Sequence, residues 1–189
     1  MEFETDTYTI RRKVLKIFGA SFHVFDPSRR VIGFSSQKAF KLKEDIRVYA
    51  DESKSKEILS IRARHVIDFS AAYDIVDASE QRKIGAARRK GWSSLVRDSW
   101  EILDASDRPV AKITEDSALK ALLRRFLSNL IPQTFHIEGT DGSRQATLRV
   151  HFNPFVYKMT VQREPGTTLD PRLVFGGAVL LAAIEQRQR

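Results

Sequence analysis

From Phe22 onward, one pattern of apolar and polar positions recurs along the chain. An aromatic or aliphatic residue is followed two positions later by an aliphatic one, then by turn-forming residues and a second strand-like run. The instances are FHVFDPSRRVIGFS from Phe22, IRVYADESKSKEILSI from Ile46, YDIVDASEQRKIGAA from Tyr73, WEILDASDRPVAKIT from Trp100 and FHIEGTDGSRQATLRV from Phe135. Period two sets each leading pair on one face of a strand: Phe22 with Val24, Ile46 with Val48, Tyr73 with Ile75, Trp100 with Ile102, Phe135 with Ile137. The residues between them (His23, Arg47, Asp74, Glu101, His136) are polar and face the other way. The segments DPSR, DASEQ, DASDRP and GTDGS supply Asp, Pro, Ser and Gly, whose local hydrogen bonds and permissive φ angles reverse the chain. Each unit therefore predicts a β-hairpin.

YTIRRKVL near the start and FVYKMTVQ near the end bring the expected total to about twelve strands. Short antiparallel strands in that number hide their edges by closing into a barrel or by folding into two sheets.

Two stretches follow the helical period instead. In DSALKALLRRFLSNLIPQ, Leu119, Leu122, Leu123, Phe126, Leu127 and Leu130 form one apolar stripe, with Lys120, Arg124 and Arg125 facing away. Asp116 or Ser117 can cap its start, and Pro132 lies just past its end. The second stretch is DPRLVFGGAVLLAAIEQRQR, in which no charged or strongly polar side chain occurs from Leu173 to Ile184. Asp170 can cap this helix and Pro171 suits its first turn. Twelve residues span about 18 Å, well short of the roughly 30 Å of a bilayer core. A helix apolar on every side must be enclosed on every side. A barrel of about twelve strands is too wide for its own side chains to fill. The expected architecture is thus a mainly β (α+β) fold, a closed antiparallel barrel around a buried C-terminal helix. Gly176, Gly177, Ala178, Ala182 and Ala183 would let strands approach that helix closely.

Composition narrows the function more than the fold. Apolar residues make up 42% and charged residues 30%, the proportions of a globular chain, and 189 residues fit one domain spanning 1–189. The absence of cysteine removes disulfides, thiolate metal sites and cysteine catalysis. MEFETDTYTI carries no apolar run, so no secretory signal is expected and a cytoplasmic setting fits. The net charge of +8 favours anionic partners.

Candidate chemistry is sparse. No two of His23, His65, His136 and His151 have the spacing that puts two imidazoles on one metal. There is no phosphate-binding loop, nucleophile elbow or dinucleotide fingerprint. No catalytic residue, metal or cofactor is expected. The basic clusters are the candidates that remain: Lys41 and Lys43, Arg62 and Arg64, Arg88, Arg89 and Lys90, with Trp92 beside the last group and Arg124 and Arg125 elsewhere. In a strand, x-R-x-R spacing puts both guanidinium groups on one face, suited to phosphate oxygens.

The order and spacing of these parts resemble the Tubby C-terminal-like superfamily, in its LURP-one-related and phospholipid scramblase branches. The residues that carry the resemblance are the YTIRRKVL start, the chained hairpins, the helix before the last strands and the terminal LDPRLVFGGAVLLAAIEQ. The resemblance implies a twelve-stranded barrel around a central helix, and phosphoinositide-type binding through surface Lys and Arg. It also implies, on the scramblase side, calcium-dependent lipid movement, but IPQTFHIEG lacks the paired Asp residues of the scramblase segment. The expected function is a non-enzymatic module for anionic phospholipid headgroups, peripheral to a membrane or acting as a lipid-linked adaptor. Lys41, Lys43, Arg62, Arg64, Arg88, Arg89 and Lys90 are its expected headgroup contacts. A nucleic-acid or protein-binding regulatory module and a scramblase-like lipid transfer activity are the alternatives.

Overall fold

The alternating apolar positions become twelve antiparallel strands. They are β1 (Thr7–Lys13), β2 (Ala20–Phe25), β3 (Val31–Gln37), β4 (Ile46–Tyr49), β5 (Glu57–Ala63) and β6 (Ala72–Asp77). β7 (Arg82–Arg89), β8 (Trp100–Asp104), β9 (Pro109–Glu115), β10 (Gln133–Gly139), β11 (Arg144–His151) and β12 (Val156–Arg163) follow, then the C-terminal helix α1 (Pro171–Glu185). The computed structural model describes residues 3–13, 20–37, 45–64, 72–90, 99–116, 133–151 and 156–185. The helical stripe expected from Leu119 to Leu130 lies outside the described residues.

Each strand pairs with its neighbours in sequence, and β1 closes the ring by pairing with both β2 and β12. Closure removes both edges of this sheet, so none of these twelve strands is left open to a second chain. All ten leading residues of the five hairpin units are buried, from 0% exposure at Ile75, Ile102 and Ile137 to 6% at Ile46. The face assignment made from period two is therefore correct at every one of them.

The five hairpins share a turn design. Each ladder shifts register by a bulge, at Val24/Phe25, Val48/Tyr49, Ile75/Val76, Ile102/Leu103 and Ile137/Glu138. Each turn places one residue in the left-handed region: Arg29, Lys54, Gln81, Asp107 and Gly142. An aspartate closes each turn by accepting from the backbone: Asp26 from Arg30, Asp51 from Ser53, Asp77 from Ser79, Asp104 from Ser106 and Asp141 from Ser143. The serine hydroxyls of Ser53 and Ser143 hold Asp51 and Asp141 below the usual carboxylate range. These carboxylates have a structural use.

The five turns, residues 3–6 and the link from β12 to α1 all lie at one end of the barrel. There the buried Gln145 side chain holds the link, its Oε1 accepting from the Thr167 hydroxyl at 2.6 Å and from the amides of Thr168 and Leu169. Asp170 caps α1 by accepting from the Arg172 amide at 2.8 Å. From this cap α1 runs into the barrel, and every residue from Leu173 to Ala183 is buried. At Gly176 an added Cβ would sit 3.0 Å from both Cδ1 and Cγ2 of Ile75, so β6 reaches the helix only because that side chain is absent. At Gly177 the same atom would make ordinary contacts with Ile113 and Ile102, so a methyl would fit there. No helix among the described residues is long and apolar enough to cross a membrane.

Candidate functional site

With α1 filling the interior, the side chains available to a ligand lie on the outer wall and at the ends. Cross-strand register decides what each exposed cation meets. Directly opposed side chains on an antiparallel pair lie about 5 Å apart, so opposite charges there attract and like charges repel.

Between β7 and β11 the register alternates charge. Arg88 lies opposite Glu101, Glu101 opposite Lys112, Lys112 opposite Glu138, and Glu138 opposite Arg144. Glu101 accepts from Arg88 Nη2 at 2.7 Å and from Lys90 Nζ at 2.7 Å, and Lys112 reaches Glu138 at 3.0 Å. Lys90 and then Arg88 hold the Glu101 carboxyl below its ordinary range. Arg89 is half-buried, opposite Trp100.

A second cluster spans β5 to the β8–β9 turn. Arg64 Nη2 donates to Asp74 at 2.6 Å and also to Asp107, and Lys83 Nζ lies 2.7 Å from Asp107 and 3.4 Å from Asp74. Arg62 is exposed, and its Nε donates to the Ser60 hydroxyl at 3.2 Å. The shared strand face expected for Arg62 and Arg64 thus ends with one guanidinium open to solvent and one held between two carboxylates. Of the expected headgroup contacts, Arg64, Arg88 and Lys90 are ion-paired within the fold, while Lys41 and Lys43 lie outside the described residues, as do Trp92 and His65.

The wall made by β11, β12 and β1 is different. Arg11 lies opposite Lys158, and Lys158 lies opposite His151. Arg149 stands on the same strand and outer face as His151, opposite Thr160. Arg11, Arg149 and Lys158 are all exposed, and among the described residues none of the three pairs with a carboxylate. His151 is hydrogen-bonded to the Thr160 hydroxyl at 2.8 Å. Burial first, then Lys158 and Arg149, push its imidazole below the ordinary histidine value, so it is neutral at pH 7. His23 lies opposite Arg11 on β2 and bonds Glu52 at 2.7 Å. Among the described residues no cluster of His, Asp or Glu has the form of a metal site.

A family model for LURP-one-related proteins matches residues 31–181. The chain belongs to the LURP-one-related family. That family lies within the Tubby C-terminal-like superfamily, and the closed barrel around α1 is the architecture that the resemblance led us to expect. The matched span of this LURP-one-related chain runs from β3 into α1 and leaves β1 and β2 outside it. No curated protein matches the chain.

A groove of about 890 Å³ in this LURP-one-related barrel opens at the turn end between residues 3–6, the β4–β5 and β6–β7 turns and the start of α1. Its wall is an internal lock. Arg172 joins Asp170 to Asp77, each at 2.7 Å, and Arg163 meets Asp6 at 3.1 Å. Sequence reasoning missed Arg11, Arg149 and Lys158. Strand alternation marks each as outward-facing, but nothing local says that β1 and β12, from opposite ends of the chain, lie side by side.

Proposed function

We propose that this LURP-one-related chain is a non-enzymatic binding module for anionic phospholipid headgroups, working on the cytoplasmic surface of a membrane as one unit over residues 1–189. The observation that supports the reading most is the filled interior. Leu173 to Ala183 occupy the barrel axis, which removes internal carriage of a ligand and directs recognition to the outer wall. That wall belongs to a chain of net charge +8, and a cationic surface gains roughly 1 kcal/mol per Lys or Arg held near an anionic leaflet. Exposed Arg62 is available to such a surface, whereas Arg64, Arg88 and Lys90 would have to leave their carboxylates first.

Vesicle co-sedimentation tests the reading. The expected result is binding to phosphatidylcholine vesicles containing phosphatidylserine, no binding to phosphatidylcholine alone, and release by high salt. Equal binding to both, or to neither, would contradict it.

A further inference from the structure

Where cations face each other across a sheet without acids between them, the fold loses stability, because like charges directly opposite repel. This chain avoids that arrangement from β7 to β11, where every opposed pair in the belt is of opposite sign. Among the described residues it accepts it once, at Arg11 opposite Lys158, with Arg149 on the next strand. The strip is also continuous with aromatic side chains. Phe25 follows the outward-facing His23 by two residues on β2, and His23 lies opposite Phe34 on β3. His23 stacks on Phe25 at 5.8 Å and packs against Phe34 at 4.9 Å. Arg11 stands over the Phe25 ring at 5.9 Å and Lys54 over the Phe34 ring at 5.9 Å.

We infer that the outer face of β11, β12, β1 and β2 is the surface that meets an anionic bilayer, with Arg11, Arg149 and Lys158 contacting lipid phosphates and the half-buried Phe25 and His23 lying beside them, backed by buried Phe34 on β3. The inference rests on the headgroup-binding reading above and gives it a location that the sequence clusters did not. Two features point to a bilayer rather than a single soluble headgroup. The strip runs across strands spaced about 4.8 Å apart and lines no part of the groove described above, so it is a broad surface and not a cup. Three exposed cations spread over neighbouring strands can each meet a separate lipid phosphate, which one soluble headgroup does not supply.

The test compares two sets of substitutions in the full chain, matched for net charge. The first is Arg11→Gln, Arg149→Gln and Lys158→Gln together; the second is Arg30→Gln, Arg82→Gln and Arg108→Gln, exposed cations at the hairpin turns. Partition onto phosphatidylserine-containing vesicles should weaken about fivefold per strip cation, and so about a hundredfold for the first set, with far less change for the second. Equal weakening by both sets, or none by the first, overturns this location while leaving the headgroup reading intact. Failure of the unsubstituted chain to bind anionic vesicles removes both. A thermal melt of the first set should show no loss of stability, because a repulsion has been relieved. Should that set fail to fold, Lys158→Gln alone carries the test, with a fivefold loss expected and an unchanged partition overturning the location.

Discussion

Replacing Asp77 by Asn would loosen the lock that ties α1 to the barrel rim. Asp77 ends β6, is 6% exposed, and accepts from the Ser79 hydroxyl at 2.6 Å, the Ser79 amide at 2.8 Å and Arg172 at 2.7 Å. Burial alone would raise its pKa, but these donors together reverse that effect and hold it at about 2, against an ordinary 3.8. A fall of that size corresponds to about 2 kcal/mol of folding stability at neutral pH. Because the folded value is the depressed one, the contribution is fully present above pH 3.8 and disappears as pH drops through about 2. Urea unfolding at pH 7 should show Asp77→Asn about 2 kcal/mol less stable, with a melting temperature lower by about 4–8 °C for a chain of this length. The difference should shrink between pH 4 and pH 2. Superimposed unfolding curves at pH 7, or a gap unchanged in acid, would refute the reasoning.

Other expectations concern the core and the histidines. Gly176→Ala drives a methyl against Ile75 and should cost about 1–3 kcal/mol in a denaturant melt, with Ile75→Val recovering part of it when the two are combined. Ending the chain after Leu169 removes α1 and should leave an unfolded or insoluble product, read by circular dichroism and sedimentation; a folded product would contradict the architecture. Burial holds the His136 and His151 imidazoles below their ordinary value, so the unfolded chain binds their protons first as pH falls. Stability should therefore decline from about pH 6.5 downward and level off below the two folded values, and His136→Gln with His151→Gln should flatten that decline in pH-dependent urea titrations.

The fold was largely written in short-range pattern. Period two in pairs such as Tyr73 and Ile75 marks the inner face of each strand without reference to any other strand, and the unbroken apolar run from Leu173 to Ile184 can be satisfied only by enclosure. The site was less legible because it depends on register. Arg62 and Arg64 look like a matched pair in sequence, yet Arg64 is held by Asp107, forty-three residues away on the turn after β8. Arg88 and Lys90 read as a basic cluster, but both converge on Glu101 of the next strand. Arg11 and Lys158 attract no notice in YTIRRKVL and FVYKMTVQ; they become neighbours only when β1 closes against β12. The turns add a smaller lesson. Arg29, Lys54, Gln81 and Asp107 occupy left-handed positions that a reader of sequence assigns to glycine, because the bulged hairpin and its aspartate over-determine the backbone there.

The claim on which the rest depends is that α1 is the core of the barrel, which leaves recognition to the outer wall. Native-state amide hydrogen exchange tests it most directly. The amides of Val174 to Ala183 are expected to exchange only through global unfolding, with protection equal to that of central barrel strands such as β6 and β11. Exchange of those amides at the rate of the hairpin turns, while the strands stay protected, would show that the helix leaves the barrel without unfolding it and would contradict the account.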